Sequence, residues 1–160
     1  MTRRRPWGPA LGPTLALALA LAEVMAGEGG DARGAQLVVV AALEHHPKDR
    51  RLRDLRIDLA RTLREPGPLA EALQARGSPD DLLEAARVMH LQVGDGARAL
   101  RLYSRVLADA KRHTDDPEHA RRLAAALEGL VKLRVEDGDT EGAMEFMDKQ
   151  LTEVEGPSIR

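Results

Sequence analysis

The chain has no cysteine, which excludes thiol catalysis, thiolate metal ligation and disulfide cross-links. Aromatic residues number three, Trp7, Tyr103 and Phe146, too few for the aromatic and β-branched faces that favour sheets. Serine occurs only as Ser78, Ser104 and Ser158, none in a context that would supply an oriented base, so serine catalysis has no recognisable setting. Long apolar runs are scarce too: the stretch from Ala10 to Ala22 is too short to span a bilayer. A strong excess of either charge is also missing. The formal net charge of −2 gives the whole chain no pull toward nucleic acid or an anionic membrane.

What is present suits helices. At 160 residues the chain fits one domain with a real core. Its apolar content of 43% is mostly Ala, Leu and Val, small side chains that let helices pack closely, while 31% charged residues serve helix surfaces. The charge is uneven. Arg50, Arg51, Arg53, Arg56, Arg61 and Arg64 stand against Asp54 and Asp58, whereas the segment from Glu136 to Glu155 is acidic apart from Lys149. Such blocks read first as solvated helix faces and second as a polar binding surface.

The N-terminus has two readings. Arg3, Arg4 and Arg5 before the apolar stretch, with Ala20-Leu21-Ala22 behind it, fit a secretory signal. Pro13 instead opens a helix well, and Leu15, Leu19, Ala22 and Ala26 continue it as one buried stripe. The favoured reading is a retained first helix, with residues 1–12 a basic, loosely packed lead and residues 156–160 a tail.

A repeated signature organises the rest. Gly30-Asp31 is followed by Ala35, Gly94-Asp95 by Ala99, and Gly138-Asp139 by Ala143, always at one spacing. The Gly accepts the positive φ that ends one helix, the Asp caps the next, and the Ala lets two backbones approach. Pro68 after Gly67, Pro79 after Ser78 and Pro117 after Asp116 mark three further helix starts. Helical periodicity on both sides, as in Leu82, Leu83, Ala86 and His90 followed by Ala99, Leu100, Tyr103, Val106 and Leu107, completes the pattern. The expectation is eight helices, near 14–26, 32–45, 50–64, 68–76, 79–93, 96–112, 117–136 and 140–154, whose short connections make neighbours antiparallel.

On these residues the chain resembles the tetratricopeptide repeat family. Leu19, Ala22, Ala26, Gly30, Ala35, Val39, Ala42 and Pro47 follow the family's small, large, small, proline spacing. A second copy runs Leu83, Ala86, His90, Gly94, Ala99, Tyr103 and Val106, and a third runs Leu127, Leu130, Arg134, Gly138, Ala143 and Met147, with Arg134 and Gln150 where apolar residues are expected. The pair at 50–76 is the weakest match, shortened by Glu65-Pro66-Gly67-Pro68. The signatures lie 64 and then 44 residues apart, the mark of an irregular array. The resemblance implies an all-α, right-handed α-solenoid of about four antiparallel helix pairs over residues 13–155.

Chemistry finds little support. His113, Asp115, Asp116 and His119 form the one cluster of metal-ligand types, read here as a loop that ends one helix and caps the next, with no metal expected. His45-His46 before Pro47 read as a helix C-terminus, and His90 as partly buried between helices. Gly27-Glu28-Gly29-Gly30 lacks the preceding strand and the Lys-Ser/Thr ending of a phosphate loop, and reads as a turn.

The expected function is therefore that of a non-enzymatic adaptor or scaffold without cofactor, binding a peptide or helix of another protein. Family geometry implies a concave face containing Arg53, Ile57, Arg61, Glu84, Val88, Leu91, Glu128, Lys132 and Val135. The absence of Asn argues against the family's clamp for a terminal carboxylate. Nucleic acid is not an expected partner, because no aromatic residue accompanies the arginines at 50–64 for base stacking. A cytoplasmic location goes with the retained helix. A cleaved signal would instead point to an exported envelope assembly factor; a secretion chaperone and an RNA-binding helical protein are the remaining alternatives.

Overall fold

The computed structural model describes residues 11–113 and 117–155. Among them it is entirely helical: eight helices, no strand, and helices packed successively on their neighbours. The chain falls into two compact units, residues 1–76 and 77–160.

The first unit holds α1 (Leu11–Ala26), α2 (Ala32–His45), α3 (Arg50–Thr62) and α4 (Pro66–Arg76). Gly30, at φ 60°, supplies the left-handed hinge after α1, and the Asp31 N–H then reaches back to the Met25 carbonyl at 2.8 Å. The Asp31 carboxylate caps α2 through the Gly34 N–H at 2.8 Å, and Asp49 caps α3 through the Leu52 N–H at 2.9 Å. The expected stripe on α1 is seen. Leu19 and Ala22 are buried and Leu15 and Ala26 half-buried, packed with Ala35, Val39, Ala42, Leu52 and Leu59. Each fully buried leucine or valine in such a core contributes roughly 1.5–3 kcal/mol. α1 packs on both α2 and α3.

The start of α4 differs from expectation, beginning at Pro66 rather than Pro68. The Glu65 carbonyl already accepts from the Leu69 N–H at 2.9 Å, so both prolines fall in the first turn, where a missing N–H costs nothing. Glu65 also receives Arg33 at 2.6 Å and Gln36 at 3.1 Å, tying α2 to this turn. Those contacts, Gln36 first, hold its carboxyl below the usual glutamate range. Arg64 turns the corner at φ 53°, a positive value carried by a residue with a side chain.

The second unit holds α5 (Pro79–Val88) with a π-helical turn (Met89–Val93) at its end, α6 (Gly96–Arg112), α7 (Pro117–Glu136) and α8 (Thr140–Glu155). Ser78 and Asp81 form a reciprocal capping box at the start of α5. Asp95 and Asp139 cap α6 and α8 through the N–H groups of Arg98 and Gly142, each at 2.9 Å. The core is built from Leu82, Leu83, Ala86, Met89, Ala99, Tyr103, Val106, Ala126, Leu130, Leu133 and Ala143. α5 packs on both α6 and α7, repeating the relation of α1 to α2 and α3.

The two departures from the repeat pattern on α7 and α8 have different fates. The Arg134 guanidinium lies 5.0 Å from the centre of the Phe146 ring, so the arginine covers an apolar surface as a leucine would while its charge reaches Asp139 at 3.5 Å. Gln150 is buried at 6% exposure, and its Oε1 has no hydrogen-bond partner.

The end of α5 also departs from the expected α-helix over 79–93. Its last five residues are wound as a π turn, closed by Gly94 at φ 76° and by the Asp95 N–H reaching Met89 O at 2.9 Å.

Candidate binding surface

Seven of the nine residues expected on the binding face offer some surface, and two do not. Ile57 is 1% exposed and Val88 4% exposed, so both belong to the core. The reason is packing on more than one side. α3 meets α1, α2 and α4, and α5 meets α6 and α7, so the row of side chains one turn apart that family geometry points outward passes through the interior at these two positions.

On α3, Arg53 donates from Nε to the Pro47 carbonyl at 2.7 Å, and Arg61 lies 3.8 Å from Asp58. Arg53 and Arg56 line a cavity of about 260 Å³ with Leu43, Pro47, Ala72 and Ala75. Much of the rest of the arginine block is engaged within its own unit. Arg50 lies 3.9 Å from Asp54, which also meets Arg76 at 2.8 Å, and Arg51 reaches Glu23 at 3.2 Å.

The second unit places its expected residues on α5 and α7. Glu84 is half-buried, while Leu91 is 70% and Val135 48% exposed. Glu128 and Lys132, one turn apart, pair at 2.6 Å, and this contact, with Arg87 adding to it, lowers the Glu128 pKa. His90 is buried, as expected from the sequence. Its Nε2 meets Glu136 Oε2 at 2.8 Å, and its ring stands edge-on to Tyr103 at 6.1 Å. This contact joins the segment that exposes Leu91 to the one that exposes Val135.

The histidines at 113 and 119 are brought together differently from the expected cluster. Asp115 and Asp116 lie outside the described residues, and so does the proposed cap at Asp116. Asp109, one turn before His113 on α6, takes their place: Asp109, His113 and His119 each offer a ligand atom, and these atoms lie within 4.8 Å of one another. The two rings stack at 5.0 Å and 27°. The sequence reading missed Asp109, although its signal was present: a carboxylate four residues before a histidine on a helix. His45 and His46 end α2 as read, the His46 N–H closing on Ala42 O at 2.9 Å.

An apolar cavity of about 410 Å³ lies in the first unit, lined by Leu17, Ala18, Leu21, Val38, Ala41 and His45 among others. None of the helices is long and apolar enough to cross a membrane among the described residues. Compared with models of known protein families the chain matches none, and no curated protein matches it either.

Proposed function

We propose that this chain is a non-catalytic adaptor made of antiparallel α-hairpin repeats, stacked with the right-handed sense of a tetratricopeptide-like array, that binds a peptide or helix of another protein. The observation that carries the reading is the packing of first helices: α1 rests on α3 as well as α2, and α5 on α7 as well as α6. That relation is what stacked helix pairs require, and within each unit it sets two first helices side by side as a platform, α1 with α3 and α5 with α7.

In the second unit the platform comprises Leu91 and Val135 as apolar anchors, with Glu84, Glu128 and Lys132 as polar neighbours. In the first unit Arg53 and Arg61 offer the corresponding positive charge. Exposed aliphatic anchors inside a polar rim suit the docking of an amphipathic or extended segment. The reading keeps α1 as the first repeat helix and the protein in the cytoplasm. Recovery from the native host of a mature chain starting near Glu23 would overturn that part.

The test is affinity capture from the native host with wild type, Leu91→Asp/Val135→Asp and Arg53→Glu/Arg61→Glu, after circular dichroism has shown each variant folded. Loss of the same co-purifying protein in either variant supports the platform. Equal capture by all three removes these residues from the interface.

A further inference from the structure

We propose that Asp109, His113 and His119 form a binding site for a divalent transition-metal ion of borderline softness, of the Zn²⁺ class, at the corner where α6 passes to α7. Its three donors are none of the platform residues, and they come from both α6 and α7.

The donor set comes first. Two imidazoles and one carboxylate are what zinc and its neighbours take in sites with three protein ligands, and an ion so held keeps a further position for water or a partner's side chain. Calcium and magnesium prefer shells made wholly of oxygen. The three donor atoms lie within 4.8 Å of one another, whereas ligands around one tetrahedral zinc stand about 3.3 Å apart. Side-chain rotation supplies the closure of about 1.5 Å, because His113 is exposed and Asp109 and His119 are half-exposed.

The ring centres already stand at a compatible distance, and the stacked rings must each turn for both in-plane lone pairs to meet one ion. Two imidazoles bound through nitrogen to one tetrahedral ion place their centres roughly 5 Å apart, given zinc–nitrogen bonds near 2 Å. Here the centres are 5.0 Å apart. The tautomer also fits. His113 Nδ1 lies 3.1 Å from the Asp109 carbonyl oxygen, which can only accept, so in the neutral ring Nδ1 carries the proton and Nε2 the lone pair. A ring nitrogen donating to a backbone carbonyl while the other faces the metal is the usual outer support of a histidine ligand.

The surrounding charge is mixed. Lys111 is tied to Glu153 at 2.6 Å, while Arg105 and Arg112 line a cavity with Asp109 and bring positive charge near its carboxylate. His113 caps the C-terminus of α6, where the helix pole favours a cation, and His119 comes from the first turn of α7, where it opposes one. The two poles offset each other, so the donors decide.

Isothermal titration of the full chain with ZnCl₂ tests the proposal. The wild type is expected to take up one ion saturably, and MgCl₂ to give no such signal. His113→Ala and His119→Ala should each weaken uptake by on the order of ten-fold or more, and Asp109→Asn measurably. The control His45→Ala/His46→Ala, at the other histidine pair, should bind as wild type does. Zinc should raise the melting temperature of wild type and of this control but not of His113→Ala/His119→Ala. Absence of saturable uptake by the wild type, unchanged affinity in His113→Ala/His119→Ala, or loss of uptake in His45→Ala/His46→Ala would overturn it.

Discussion

Replacing Gly129 by alanine ought to stabilise an isolated helix, since alanine in a helix interior is favoured over glycine by about 1 kcal/mol. In this protein the opposite result is expected. Gly129 is buried on α7 against the Tyr103 ring of α6, and a Cβ there would come within 2.5 Å of Cε1 and 2.7 Å of Cε2, and against Cζ as well. Carbon atoms in good contact stand about 3.5–4.0 Å apart, so the ring or the whole helix would have to retreat by roughly 1 Å. The ring has little room. Tyr103 is 2% exposed, and its other neighbours include His90, itself held by Glu136.

Overpacking a filled site costs about 1–3 kcal/mol and occasionally more, and this contact belongs at the upper end. After the gain in propensity, the net destabilisation is about 2 kcal/mol, or about 4–8 °C in melting temperature for a chain of this size. Urea and thermal unfolding followed by far-UV circular dichroism measure it. The same change made in a Tyr103→Leu background, where the ring is gone, should be neutral or stabilising, which separates the steric effect from any general defect in α7. A Gly129→Ala protein as stable as wild type would refute the reasoning.

Three further outcomes are expected. Gln150→Leu should stabilise the second unit by about 1–2 kcal/mol, because the buried Oε1 loses its solvation without gaining a partner; unfolding at a lower urea concentration than wild type would contradict this. Arg64→Gly should stabilise by up to about 1 kcal/mol, since a left-handed conformation costs an ordinary residue 1–2 kcal/mol and the greater freedom of glycine in the unfolded chain takes part of that back. Asp80 is held below its ordinary pKa of 3.8, first by its hydrogen bond from Arg122 and then by the charges of Arg122 and Arg121. Between the lowered value and 3.8 the unfolded chain binds more protons, so this contribution is complete above 3.8 and fades as pH falls through the lowered value. Half-exposed as the group is, it amounts to no more than about 1 kcal/mol, and Asp80→Asn should show a shallower loss of stability than wild type on acidification.

Much of the helical layout was legible because local chemistry sets helix ends. Asp31, Asp95 and Asp139 cap the helices that follow them, Ser78 does so ahead of Pro79, and glycines at 30, 94 and 138 adopt positive φ. What lay beyond reach depended on contacts between helices. Ile57 and Val88 carry no mark of their own that says how many neighbours surround α3 and α5, so the spacing taken from a repeat pattern put them on the outside. Gly129 has the same character: only the position of the Tyr103 ring, on another helix, explains why a side chain is missing there. The Asp109, His113 and His119 grouping was half legible: the two histidines stood out by their closeness in sequence, whereas Asp109, four residues before His113 on α6, was passed over.

The π turn at Met89–Val93 alters how the last part of α5 is indexed. Each residue in such a turn advances the winding by a smaller angle than in ordinary helix, so the turn between Val88 and Gly94 takes in one residue more than α-helical winding would. Deleting one residue from this turn would be expected to restore regular winding and to swing the aliphatic anchor toward the interior, so a helical change one residue in size could erase a docking feature without removing any side chain that composes it.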